Sequence, residues 1–215
     1  MKKIIFCLML ISPCGIYAQI GIKAGLNFAN VTKASSINNN TRTGFHAGLF
    51  LAPSSRGVIG SRTELIFSRQ GYNYKTNTNT GNVNLDYIML PQFMAINITK
   101  YFQIQVGGQM AYLLNAKVDS SASGNSAYSG SKVLALYNRF DYGYGGGIEI
   151  HPVSGLLIGA RVNISLGNVF QDTANYSSGA TPSFIPKVNV KNNVFQIFLG
   201  WRFGKKPAPS KKPEQ

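Results

Sequence analysis

The residues that could support enzymatic chemistry are few: two histidines, seven acidic side chains and one glycine run. His46 and His151 fall on different segments, and no spacing brings either within hydrogen-bond reach of a serine and a carboxylate, as a nucleophilic or paired-carboxylate site requires. His46 with a loop serine is the one arrangement open to an enzyme, of a kind that would act on membrane lipids. No His/Asp/Glu cluster has metal-ligand spacing. Gly143-Tyr144-Gly145-Gly146-Gly147 suggests a phosphate loop, but it sits inside an alternating stretch, where close packing of strands explains it better. Cys7 and Cys14 both lie in a segment expected to be removed, which leaves the mature chain without a thiol. The expectation is a non-enzymatic protein with no cofactor.

The charged residues fit a different chemistry. Lys23, Arg62, Arg161 and Arg202 stand at positions that alternate with apolar ones, and so do Glu64, Asp86, Asp141 and Glu149. Eight stretches carry this period of two, the signature of a strand with unlike faces. They cover residues 20–29, 43–52, 58–71, 83–98, 102–112, 138–150, 156–166 and 190–203. In the fifth, Phe102, Ile104, Val106 and Met110 alternate with Gln103, Gln105, Gly107 and Gln109. The fourth is the least regular, because 88–98 is apolar on both faces and Pro91 cannot donate to a ladder, so a bulge or bend is expected there.

Connection lengths supply the topology. Short links follow the second, fourth and sixth stretches, and long polar links follow the first, third, fifth and seventh. The predicted fold class is all-β: an eight-stranded antiparallel up-and-down transmembrane β-barrel with long external loops and short periplasmic turns. Phe28, Phe45, Tyr87, Tyr112 and Phe140 form one aromatic girdle at the loop end, and Tyr101, Phe102, Trp201 and Phe203 form another at the turn end. Eight strands enclose a lumen just wide enough for side chains. The interior polar network is therefore predicted to comprise Lys23, Arg62, Glu64, Asp86, Asp141, Glu149, Arg161 and Arg202, with Gln92, Gln103, Gln105 and Gln109 between them. Such charges must pair. A structural plug of ion pairs outweighs a gated or proton-conducting interior.

The ends of the chain set the compartment. Residues 1–18 read as a signal peptide: Met1-Lys2-Lys3, then an apolar run, then Pro13 and Ala18 at the cleavage point. Residues 19–204 form the barrel domain, and 205–215 a basic, Pro-rich periplasmic tail expected to be disordered. The net charge of +14 is scattered rather than clustered on one face, which argues against nucleic acid. Lipopolysaccharide, outer-membrane lipid and peptidoglycan are the expected counter-charges. Near-zero mean hydropathy suits a barrel, in which the two faces average out.

Gly21-Ile22-Lys23-Ala24-Gly25-Leu26-Asn27, Tyr87-Ile88-Met89-Leu90-Pro91, Phe140-Asp141-Tyr142-Gly143 and Gly200-Trp201-Arg202-Phe203 resemble the PorT-type outer-membrane β-barrel family. The resemblance implies an eight-stranded barrel in the cell outer membrane and, for some members, a part in protein secretion. It supplies no catalytic residue. Gln196, Trp201 and Phe203 also resemble the terminal signal read by the barrel-assembly machinery, although Phe198 stands where glycine is usual. Three classes of function remain: a structural or interaction protein working through its external loops, a small-solute transport component, and a soluble exported binder. The last would need an apolar lumen and a polar exterior.

Overall fold

The computed structural model of the chain describes residues 18–32, 40–53, 58–75, 80–120, 128–129, 134–171 and 190–204. The predicted signal peptide up to residue 17, the basic tail and the central parts of the long loops lie outside the described residues. The strands are β1 (Ala18–Thr32), β2 (Asn40–Pro53), β3 (Ile59–Lys75), β4 (Thr80–Asn97), β5 (Phe102–Ser120), β6 (Tyr128–Ser129), β7 (Phe140–Ile150), β8 (Leu156–Ser165) and β9 (Lys191–Arg202). Each barrel strand pairs antiparallel with its neighbours, β4 joins β5, and β1 joins β9, so eight strands close into a ring. The two-residue β6 is an outlier that pairs only with Lys117 and Val118 of β5.

Alternation decides which way each side chain points. Ile22, Leu26, Leu49, Ile104, Met110, Ile148, Ile197 and Leu199 are exposed on the outer wall, while Lys23, Asn27, His46, Gln105, Glu149 and Gln196 are buried inside. Closure removes the sheet edges that an open sheet would leave unpaired in lipid. Inward glycines make room for large neighbours: a Cβ at Gly21 would fall 2.0 Å from Phe50 Cζ, and one at Gly159 would fall 2.4 Å from Phe198 Cζ. The short turns are locally specified. Thr99 Oγ1 accepts from the backbone N–H of Tyr101 (3.1 Å) and Phe102 (3.0 Å), and Gly155 takes φ +93° at the turn into β8.

The expected irregularity is displaced from where the proline suggests. Pro91 interrupts the β3–β4 ladder between the Thr63–Gln92 and Ile66–Met89 pairs without changing the register. The register shift lies in β4–β5, where Asp86 and Tyr87 face Asn115 and Leu113 and leave Leu114 as the extra residue. Strands β3, β4 and β5 run for 17, 18 and 19 residues, against 11, 10 and 12 for β7, β8 and β9. A tilted strand crosses a bilayer in about 9–11 residues, so one side of the barrel rises well beyond the membrane at the loop end.

Candidate functional site

The lumen is filled in three tiers. Nearest the short turns, β1, β3, β7, β8 and β9 place Lys23, Arg62, Glu64, Glu149, Arg161 and Arg202 on one inner surface. Glu64 is the hub. It accepts from Lys23 Nζ at 2.8 Å and from Arg161 Nη1 and Nη2 at 2.8 and 3.0 Å, and Arg62 Nε lies 2.7 Å away at an angle too bent for a hydrogen bond. Arg62 Nη1 donates to Glu149 Oε2 at 2.6 Å, which links the two carboxylates through one guanidinium. Gln105 Nε2 also donates to Glu149 (3.1 Å), and its Oε1 accepts from Arg161 Nη2 (2.5 Å). His151 Nε2 closes the outer side of Glu149 at 3.2 Å.

Register explains how so many long side chains fit. Lys23 pairs across the sheet with Gly48 and Gly200, Glu149 with Gly159, and Arg161 with Gly147. Aromatic faces cover what the carboxylates do not. Lys23 Nζ stands 4.2 Å above the Phe198 ring, and Arg62 and Arg161 stack 3.9 Å from Phe50 and Phe93. The tier is a buried ion-pair cluster.

The middle tier is neutral and hydrogen-bonded. Asn27 Oδ1 accepts from Gln196 Nε2 (2.9 Å) and faces His46 Nδ1 (2.8 Å), while Asn27 Nδ2 donates to Ser68 Oγ (2.9 Å). Gln196 Oε1 accepts from Asn163, and Gln70 spans from Ser68 to Asn192. His46 is thus held in the lumen by an asparagine, with its ring edge-on to Phe198, and the structure does not unite it with His151. The tier at the loop end is apolar: Tyr72, Tyr74, Val83, Leu85, Tyr87, Leu113, Ala116 and Val118 line it. Tyr137 and Phe170, bridged to each other with ring centroids 5.0 Å apart, pack onto it. Asn138 Nδ2 fastens this cover by donating to the carbonyls of Asn168 and Phe170, both at 2.9 Å.

One residue assigned to the inner network lies on the other face, and so does one of the glutamines. Asp86 faces outward and accepts from Arg69 Nε and Nη2 at 2.6 and 3.0 Å on the outer wall. Gln92 is likewise outside, where Thr63 donates to it, and Tyr87, expected in the outer girdle, is buried inside. All three departures are one phase error in β4, since a one-residue slip exchanges the faces of a whole strand. Asp141 does point inward, but it accepts from Ser165 Oγ near the loop end and takes no part in the arginine cluster. Sequence reasoning missed Phe50, Phe93 and Phe198 as cation partners. An inward aromatic on a strand that otherwise carries glycines and charges was the available signal. At the end of the chain's last strand Gln196 is inward, and Trp201 and Phe203 are exposed at the turn end.

A family model described as an outer membrane protein beta-barrel domain matches residues 11–171. No curated protein matches the chain in sequence. Solved structures share the fold. Ail, the attachment invasion locus protein of Yersinia pestis, is 16% identical with a TM-score of 0.50, over 87% of this chain and 100% of that one. Neisserial surface protein A is 13% identical with a TM-score of 0.49, over 86% and 99% of the two chains. OprG of Pseudomonas aeruginosa is 12% identical with a TM-score of 0.43, over 88% and 97%. At that identity the likeness to Ail speaks for the fold alone. The family match covers about three quarters of the sequence and agrees with an apolar outer wall on a closed eight-stranded ring, and the chain therefore belongs to the outer membrane protein β-barrel domain family and resides in the outer membrane.

Proposed function

We propose that this protein is a closed, non-enzymatic barrel that acts as an interaction platform at the cell surface, through the raised β3–β5 wall and the loops beside it. The observation that carries the reading is the filled lumen. Glu64, Arg62, Arg161 and Glu149 are each 0–1% exposed and are locked together across strands that lie far apart in sequence. A solute path would have to break that cluster and displace the apolar tier above it, so transport is the weaker reading. An association with secretion partners, of the kind the PorT-type resemblance implies, is the finer form of the proposal and would use the same raised rim. Lipopolysaccharide is the expected neighbour of that rim. The barrel-assembly machinery would read the strand carrying Gln196, Trp201 and Phe203.

Planar-bilayer recording of the refolded protein tests the reading. A closed platform gives no unitary conductance steps, and simultaneous Glu64→Ala and Glu149→Ala changes, which loosen the cluster, introduce them. Stable steps from the unmodified protein would move the assignment to transport.

A further inference from the structure

We propose that the turn-end mouth of the barrel is a phosphate-binding site made by Lys100, His151 and Arg202. These residues come from three elements: the β4–β5 turn, the β7–β8 turn and the end of β9. They line one pocket of about 400 Å³, together with Tyr101, Ser154 and backbone of the adjoining turns. Among the described residues lining it there is no carboxylate.

The charge beneath the pocket sets its preference. Four cations, Lys23, Arg62, Arg161 and Arg202, share two carboxylates, Glu64 and Glu149. Glu64 is engaged by the first three, whereas Glu149 holds Arg62 and Gln105 through Oε2 and leaves Oε1 without a hydrogen bond, 3.2 Å from His151 Nε2. Arg202 is the most loosely held of the four cations. Its Nη2 stands 3.9 Å from Glu149 Oε1, beyond hydrogen-bond range, and its Nε is buried with no partner. A guanidinium held at that distance has its desolvation only partly offset by Glu149. The low-dielectric wall directs the surplus field out through the mouth, where Lys100 and His151 stand. The surplus of two positive charges matches a phosphate monoester, which carries about −1.5 to −2 near neutral pH. Three basic side chains lining one pocket suit its oxygens.

Two sources present that chemistry: a soluble phosphate ester in the periplasm, and a lipid headgroup of the inner leaflet, whose level the exposed Tyr101 ring marks. The histidine count makes the test clean. The chain has two histidines, one at the pocket and one sealed in the lumen at 1% exposure. The full chain, carrying isotope-labelled histidine, is refolded in a neutral detergent and titrated with inorganic phosphate at fixed pH, with sodium chloride at matched ionic strength as control. A parallel sample is transferred into nanodiscs of phosphatidylcholine with and without phosphatidic acid, whose headgroup is a phosphate monoester.

A saturable shift of the His151 ring signals with phosphate and not with chloride, while His46 stays still, supports a site for soluble esters. A shift that needs phosphatidic acid supports the same site with a headgroup as occupant. Lys100→Ala, at an exposed turn position, should weaken binding roughly tenfold, the effect of losing one charge-assisted contact. Arg202→Gln should abolish it, with heat-modifiability on a gel confirming that each variant is folded. The proposal is overturned if neither probe gives saturation, if chloride reproduces the shift, or if Lys100→Ala binds as well as the unmodified protein.

Discussion

At the turn end of the lumen, Glu64 and Glu149 are surrounded by lysine, arginine and glutamine with aromatic rings stacked on the cations. At the loop end, Tyr72, Val83, Leu85, Leu113 and Val118 fill the same ring of strands with almost no polar atoms. The outer wall changes in the opposite sense. Beside the charged tier it is Ile22, Leu49, Ile148 and Leu199, and beside the apolar tier it is Arg69, Asn73, Asn84, Asp86 and Lys117. One set of strands thus obeys two solvents. Within the bilayer the outside must be apolar, and the inside carries whatever polarity can be paired. Above the bilayer the outside meets water, and the inside becomes an ordinary hydrophobic core beneath a cover held by Tyr137 and Phe170.

Removing charge from the lower tier should have the largest effect. Glu64→Gln leaves Lys23, Arg62 and Arg161 buried around a neutral amide, and loss of one member of a buried ionic cluster costs about 3–5 kcal/mol. The urea midpoint of unfolding from lipid vesicles should fall accordingly. Adding Lys23→Met should recover part of that loss, because it removes one of the stranded cations. An unchanged midpoint for the single variant would mean that water already screens the cluster. In the upper tier, Leu113→Ala removes a fully buried side chain and should cost about 3 kcal/mol by cavity formation. Salt should change neither effect much, because both sites are sealed from solvent.

The same contrast explains what could be read from the sequence. Ring closure, the eight spans, the short and long connections, and the inward placement of Lys23, Arg62, Glu64, Glu149, Arg161 and Arg202 follow from a single rule, apolar out and polar in. The rule was applied beyond its range in β4. There Asn82, Asn84 and Asp86 alternate with Val83, Leu85 and Tyr87 as regularly as any lipid-facing span, but this part of the strand stands in water and the apolar set faces inward. Alternation gives the period and not the sign; the sign comes from where the membrane ends. The length of β3–β5, nearly twice what a crossing needs, was the clue to that boundary.

On the membrane-facing wall a smaller effect should distinguish the two zones. Leu199 is exposed, paired beside Ala24 and Ile158, and lies a few residues from the turn end of β9. Leu199→Arg there should cost about 2 kcal/mol, between the values for the bilayer midplane and its interface. Refolding yield into vesicles and the urea midpoint both read this. An arginine placed at Asn84 on the upper outer wall should be tolerated, and equal damage at the two sites would put the membrane boundary in the wrong place.

The smallest expected effect sharpens the boundary further. Arg69 is 43% exposed and its bond to Asp86 is bidentate, so the pair lies where outer wall meets solvent or headgroups. A pair in water contributes at most about 1 kcal/mol and is weakened by salt. A pair facing hydrocarbon would behave like the buried cluster below, and Asp86→Asn would then strand a guanidinium in lipid. The position of β4 above the bilayer therefore requires that Asp86→Asn shift the urea midpoint by less than a quarter of the shift from Glu64→Gln. Raising the salt concentration should narrow even that difference. A loss comparable to that of Glu64→Gln would mean that the membrane reaches Asp86, and that the inversion of faces along β4 begins inside the bilayer rather than above it.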